Sequence, residues 1–324
     1  MPQPGPQNVA LDPPLRRLLA LSDQAPLVPL DLNERRRQAN AAMMLLHPGP
    51  QRGVRTEDHS IAVEGGAILV RASRPEDLEV PSPTLFFIHG GGWFQGDLET
   101  GEVESGPMAS TVPCLVISVA YRLAPEHKYP TPLHDCVAAY KWMLSEAEEL
   151  GVDTSRIAVA GTSAGGNLAA SLLLIARDEG LTMPILQVLE SPALDLTLSS
   201  PSVDEVGSGY GLTRESVDEF IRFYTDGVVE RSHPLVSPLL APDVASLPPA
   251  LIFVAELDPV RDDGERWLAK LHEAGIPAAC FRVLGQFHAG WIVPITTTSR
   301  LVGDVKASAL RRAFAGSLVP GSPW

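Results

Sequence analysis

Two short segments hold the residues of this chain best suited to chemistry: Gly161-Thr162-Ser163-Ala164-Gly165 and His89-Gly90-Gly91-Gly92-Trp93. The first offers a serine hydroxyl, which becomes a useful nucleophile only when a nearby base takes its proton. It directly follows an apolar run at 156–160 and directly precedes Leu168, Leu172 and Ile175, which share one helical face. A sharp strand-to-helix turn would lift Ser163 into a strained backbone conformation and leave room only for small residues two positions to either side. At ordinary glycine and serine usage of about 7%, such a pattern arises by chance only ~0.1 times in a chain this long, so its position between strand and helix carries weight. The second segment follows the apolar run 84–88. Its glycines can turn successive backbone N–H groups toward one point, as stabilising a tetrahedral oxyanion requires. Gly91 and Gly92 are the expected donors, with Ala164 as the third. A phosphate-cradling role is excluded, because the chain has no GxxxxGK[ST] and the glycines do not continue into GxGxxG.

A serine nucleophile needs a base, and the base needs a carboxylate to hold its tautomer. Among eight histidines, His288 is the best placed, in the glycine-rich loop Gly285-Gln286-Phe287-His288-Ala289-Gly290 after the last apolar strand. His127 and His134 flank a Pro-rich bend and His272 lies within a helical stretch, so all three read as surface residues. His89 reads as a brace for its own loop. For the acid, Asp258 follows the run 251–255 within Glu256-Leu257-Asp258-Pro259. Glu190 and Asp195, after the neighbouring strand, and Glu256 are its rivals. The order Ser163, Asp258, His288 is the one found in α/β-hydrolases.

The elements that must position these residues are legible as alternating patterns. Apolar strand-like runs at 84–88, 115–119, 157–160, 185–189, 251–255 and 279–283 alternate with amphipathic stretches, which predicts a buried parallel sheet with helices on both faces. Val137, Tyr140, Leu144 and Ala147 predict one helix that Gly151 closes. Short runs at 60–63 and 67–72 around Gly65-Gly66 predict a hairpin. From about 196 to 248 the alternation is interrupted by Ser- and Pro-rich stretches around one helix near 214–226, with Thr213 as its cap. A connection that long inside a compact domain is usually functional, here an inserted cap. Residues 1–56 form an arm with helical stretches at 14–21 and 31–46, and 57–324 the catalytic domain. The apolar run Met43-Met44-Leu45-Leu46 either packs the arm on the body or lies as a flap over the site, with the charged residues Glu34 to Arg37 toward water; the flap makes Met43 and Met44 candidate substrate contacts beside Trp93.

Composition narrows the partners. The 324 residues are 45% hydrophobic and 20% charged, which suits a globular chain with a sizeable core. With 25 Lys and Arg against 39 Asp and Glu, the formal charge is −14 and nucleic-acid binding is disfavoured. No run approaches the length of a membrane span, and residues 1–10 lack the basic flank and apolar centre of a secretory signal, so a soluble, cytoplasmic protein without membrane partners is expected. Cys114, Cys136 and Cys280 show no metal or disulfide spacing.

Taken with Tyr121-Arg122-Leu123-Ala124-Pro125-Glu126-His127 and Asp258-Pro259-Val260-Arg261-Asp262, the two glycine-rich motifs make the chain from about residue 60 onward resemble the hormone-sensitive-lipase-like family (family IV) of microbial esterases. All four motifs occur in that family's order and spacing. The resemblance implies an α/β-hydrolase fold with a helical cap built partly from the N-terminus. It also implies hydrolysis of short to medium acyl esters through an acyl-enzyme on Ser163, Asp258 and His288, with no cofactor or metal and a small-molecule ester as the partner. Relatives commonly form a homodimer by pairing the edge strand at 279–283. Thr162 stands where many members carry Asp, which resembles the GTSAG subgroup, and the charge of Glu190 has no counterpart in this reading. A non-catalytic receptor on the same fold would lack the histidine, and an amidase would share the triad; ester turnover and matched ester and amide substrates separate these readings.

Overall fold

In the computed structural model, described for residues 11–23, 31–46, 49, 51–294 and 296–317, an eight-stranded sheet organises the chain in the order β1-β2-β4-β3-β5-β6-β7-β8. The reading of residues 1–10 as free of a leader lies outside the described residues. The arm contributes α1 (Pro13–Asp23) and α2 (Leu32–Met44), the latter capped by Asp31, whose carboxylate accepts from the Glu34 amide. β1 (Val54–Val63) and β2 (Gly66–Pro75) form the expected hairpin, and β2 is antiparallel to both of its neighbours. Residue 56, expected as the end of the arm, lies within β1, which begins at Val54. The six remaining strands run parallel.

Alternation of side chains along these strands explains the layers. In β3 (Ser82–Ile88), Phe86 and Ile88 face one core while Leu85 and Phe87 face the other. The first core is closed by α4 (Thr131–Ser145), α6 (Ala164–Asp178) and α9 (Arg261–Glu273) through residues such as Leu133, Leu168 and Trp267. The second is closed by α3 (Leu98–Thr111) and α10 (Thr297–Phe314) through Met108, Ala109, Leu310 and Phe314. Strands buried on both faces need near-continuous apolar sequence. That requirement is met by β3, β4 (Leu115–Ala120), the end of β5 (Val152–Thr162), β6 (Leu186–Glu190) and β7 (Ala250–Leu257), while β8 (Ala278–Phe287) is an edge strand with a more exposed pattern.

One expected helix is two. α4 ends at Ser145, the backbone leaves helical geometry at Glu146, and Ala147–Leu150 form a separate turn, α5, that Gly151 closes at φ 63°. Between β6 and β7 lie a short helix α7 (Ser202–Glu205) and a longer helix α8 (Arg214–Thr225), which Thr213 and Ser216 start with a reciprocal capping box. Val217, Ile221 and Tyr224, at i, i+4 and i+7, are the buried face of α8.

The arm is tied down by the charges expected to face water. Arg35 makes a bidentate pair with Glu219 of α8 and lies over the Phe94 ring. Arg36 donates to the carbonyls of Phe94 and Ala124 and to both oxygens of Glu126. The reason is geometric: one side of α2 rests on two loops that end in unpaired carbonyls, and a guanidinium has enough donors to satisfy several acceptors at once. Replacing Arg36 with alanine leaves those carbonyls without their donor and should lower the unfolding free energy by about 1–3 kcal/mol. Urea denaturation of Arg36→Ala against the parent measures this, and an unchanged midpoint would mean that the arm does not dock in solution.

Candidate active site

The turn from β5 into α6 puts Ser163 at the C-terminal edge of the sheet with φ 56° and ψ −118°. A side chain rarely tolerates positive φ, and the turn is forced by close backbone packing. A Cβ on Gly161 would run into the Gly165 carbonyl, and one on Gly165 would run into the carbonyls of Ile88 and His89. The Ser163 amide donates to the Glu190 carbonyl at 2.8 Å, which locks the turn to β6.

His288 follows β8, and its Nε2 lies 2.9 Å from Ser163 Oγ. Its Nδ1 lies 2.8 Å from Asp258 Oδ2, and Asp258 is fully buried with its other oxygen accepting from the Val260 amide. A carboxylate accepts and does not donate, so Nδ1 carries the proton and Nε2 is left to accept from the serine hydroxyl. Ser163, His288 and Asp258 thus form one continuous hydrogen-bond chain. The rivals are engaged elsewhere. Glu256 accepts from the Gly285 amide, Asp195 from Thr197, Ser199 and Arg266, and Glu190 from Trp291 Nε1 at 2.6 Å and Lys306 Nζ at 2.7 Å. His127, His134 and His272 are exposed.

Beside the serine, the loop after β3 turns through Gly91 and Gly92 at φ 112° and 60°. Among the described residues, the amides of Gly91, Gly92 and Ala164 have no protein acceptor, so all three remain available to a ligand. His89 is a brace: its Nδ1 donates to the Gly90 carbonyl, its ring stacks on Tyr121, and the Tyr121 hydroxyl donates to the His89 carbonyl. Burial lowers its pKa and keeps the ring neutral.

These groups open onto a cavity of about 340 Å³. Met43 and Leu46 of the arm, Phe220 and Val217 of α8, and Val293 after β8 supply apolar wall. Met44 does not. One position on from Met43 rotates a helical side chain by about a quarter turn, and Met44 faces out with 41% of its surface exposed. Trp93 borders the cavity, but its ring is stacked on Tyr224 at 4.9 Å and almost wholly buried, so it acts mainly as the floor for α8.

Glu104 is a site residue that sequence reasoning missed. It reaches the cavity from α3, one turn after Thr100, and its Oε2 accepts from Thr162 Oγ1 at 2.5 Å. Burial, then the charge of Glu190, push its carboxyl up to about 7, against the opposing effects of the Thr162 hydroxyl, Lys306 and His288. The only available signal was an acid on the inner face of a helix beside the glycine loop, and α3 is too weakly amphipathic to show which face is inner.

Residues 85–292 match the family model described as alpha/beta hydrolase fold. The chain is 37% identical to an arylesterase of Saccharolobus solfataricus over 94% of its own length and 99% of that protein. It is 40% identical to the carboxylesterase NlhH of Mycobacterium tuberculosis over 69% of its own length and 71% of that protein. The solved structure of a hyperthermophilic esterase from Pyrobaculum calidifontis superposes with a TM-score of 0.85 at 36% identity, covering 93% of this chain and 98% of the other.

The Glu104 carboxyl gives a stability signature. Its folded pKa of about 7 lies above the ordinary 4.5, so between these values the folded state holds a proton that the unfolded state has released. Its contribution is therefore complete below pH 4.5 and is lost as pH rises through about 7. Glu104→Gln keeps the shape and removes the titration, so the parent should lose melting temperature relative to the variant across that window. Thermal denaturation of both proteins at intervals from acid to neutral pH tests it; a difference that does not change with pH would contradict the protonated form.

Proposed function

The chain belongs to the alpha/beta hydrolase fold family, within its hormone-sensitive-lipase-like esterases, and is a carboxylic ester hydrolase; from that premise we propose that Ser163, His288 and Asp258 are its catalytic residues. The observation that carries the assignment is the unbroken hydrogen-bond chain from Asp258 through His288 to Ser163, opening onto the apolar cavity. Ser163 Oγ attacks the ester carbonyl as His288 Nε2 takes its proton. The oxyanion that forms is held by the N–H groups of Gly91, Gly92 and Ala164, donors that among the described residues have no protein acceptor. His288 then returns the proton to the leaving alcohol, and water attacks the acyl-enzyme by the same route in reverse. Asp258 keeps the ring in the tautomer and orientation that both half-reactions need.

The substrates of this reading are short to medium acyl esters. A cavity of about 340 Å³ lies at the small end of ligand pockets, and its apolar wall favours each added methylene by about 0.8 kcal/mol until the far side is reached. The arm and α8 act as a cap over the substrate. Exposed Phe281 and Leu284 on edge strand β8 support a homodimer formed there, and cytoplasmic residence remains our reading of the chain. Among the described residues, no helix is long and apolar enough to cross a membrane.

Ser163→Ala should abolish ester turnover with the circular dichroism spectrum unchanged, since alanine fits the same turn; activity within about tenfold of the parent would remove Ser163 as nucleophile. Asp258→Asn should cost about 10⁴ in turnover by favouring the wrong tautomer of His288, and Glu190→Gln far less. Reversal of those two losses would move the acid to β6.

Met43 tests the cap. Deleting the whole arm would also remove fully buried Leu15, which packs against Gly290 beside His288, so substitution is the cleaner experiment. Met43→Trp should shift the optimum of kcat/KM to shorter acyl chains and Met43→Ala to longer ones, with a change of about tenfold at the chain lengths that meet the wall. An acyl-length profile unaltered by either substitution would show that Met43 does not bound the acyl group.

A further inference from the structure

Behind the nucleophile, next to the stretch of cavity wall that Glu104 forms, the charges do not balance. Glu190 is buried and Lys306 partly buried, the two are paired at 2.7 Å, and Trp291 Nε1 donates to the other Glu190 oxygen. Glu104 is the second carboxyl of the group, and the group has no second ammonium. Its Oε2 accepts only from the neutral Thr162 hydroxyl, and among the described residues its Oε1 has no donor. Thr100, Gly101 and Glu104 line the cavity from one face of α3, so the Glu104 side chain is part of the cavity wall. The groups facing it from other elements are Thr162 at the end of β5, Glu190 of β6, Lys306 of α10 and His288 after β8. Lys306 is committed to Glu190 and His288 Nδ1 to Asp258.

A half-buried carboxylate on a largely apolar wall, with one oxygen lacking a donor, is best satisfied by a proton or by a cation beside it. The rest of the wall is largely apolar, so an ester with an alkyl arm leaves Glu104 to take the proton. An ester arm ending in a protonated amine supplies the cation itself and adds a charge-assisted N–H···O bond at Oε1. We propose that Glu104 is a specificity-determining residue that selects esters carrying a protonated amine on the arm lying against Thr162. The proposal rests on the ester-hydrolase reading of this cavity and names a substrate class for it.

Two pairs of isosteric esters test it, one for each side of the scissile bond. They are the 4-nitrophenyl esters of 4-(dimethylamino)butanoate and 5-methylhexanoate, and the butanoates of 2-(dimethylamino)ethanol and 3-methylbutanol. The readout is the cationic-to-neutral ratio of kcat/KM, which cancels any pH effect common to both members of a pair. For at least one pair the ratio should exceed unity by about tenfold at about pH 8, where Glu104 is ionised, and fall at about pH 6. Glu104→Gln, whose amide oxygen can still accept from Thr162, should lower the ratio at pH about 8 by a similar factor and make it independent of pH. A ratio at or below unity for both pairs, or one that is the same in parent and variant, overturns the proposal while hydrolysis of the neutral esters leaves the catalytic assignment standing. No turnover of any of the four esters overturns both. If the variant does not fold, the pH dependence of the ratio in the parent decides alone: a flat ratio rejects the proposal.

Discussion

The close approach of three backbone segments at the β5–α6 turn is the constraint on which the site depends. Gly161 and Gly165 let the chain reverse within five residues, and the carbonyls of Ile88 and His89 press against Gly165 from β3. That contact joins the serine turn to the glycine loop, so the hydroxyl of Ser163 and the amides of Gly91 and Gly92 cannot move independently. The strained φ of Ser163 is sustained by the bond from its amide to β6 and by burial of the first turns of α6. Strain persists only where the surroundings over-determine it, and here two parallel neighbours and a buried helix do so.

The same constraint explains the buried polar groups around the turn. Bringing Thr162 to the end of β5 places its hydroxyl beneath the cavity, where Glu104 accepts from it, and places the end of β6 next to it with Glu190. Glu190 then needs a partner, and the structure provides Lys306 from the last helix and Trp291 from the turn after His288. Its charge, unaccounted for by sequence, is thus a tie between β6, the loop that carries His288 and α10. A pair whose carboxylate is buried contributes more to fixing an arrangement than to net stability.

A second set of contacts closes the site from above. Phe94, just after the glycine loop, meets Phe220 and Phe223 of α8, while Trp93 stacks on Tyr224. Arg35 joins the arm to α8, and Arg36 joins it to the loops that follow β3 and β4. At the base of the insertion, Asp263 accepts from the amides of Leu194 and Asp195, and Arg261 pairs with Glu205 of α7. The segment between β6 and β7 is therefore held at its root by the motif that begins with Asp258 and over the cavity by aromatic packing.

What could be read from sequence was whatever local spacing enforces. The six parallel strands, the hairpin, the capping of α8 by Thr213 and the strand-to-helix setting of Ser163 all follow from periodicities or steric limits that act within about ten residues. The four motifs, in their order, sufficed to identify the fold and the class of reaction. Sequence did not say that Met43 faces the cavity while its neighbour Met44 faces solvent, because an apolar run without polar neighbours does not mark a helical face. Nor did it separate Arg35 and Arg36 from ordinary surface charges: their partners lie 58 to 184 residues away. Glu104 and Lys306 were invisible for the same reason, since a charge meant for the interior reads like any other until long-range packing removes the water around it. Local chemistry is written in the order of residues, but which charges are buried together is set only when distant segments share one low-dielectric space.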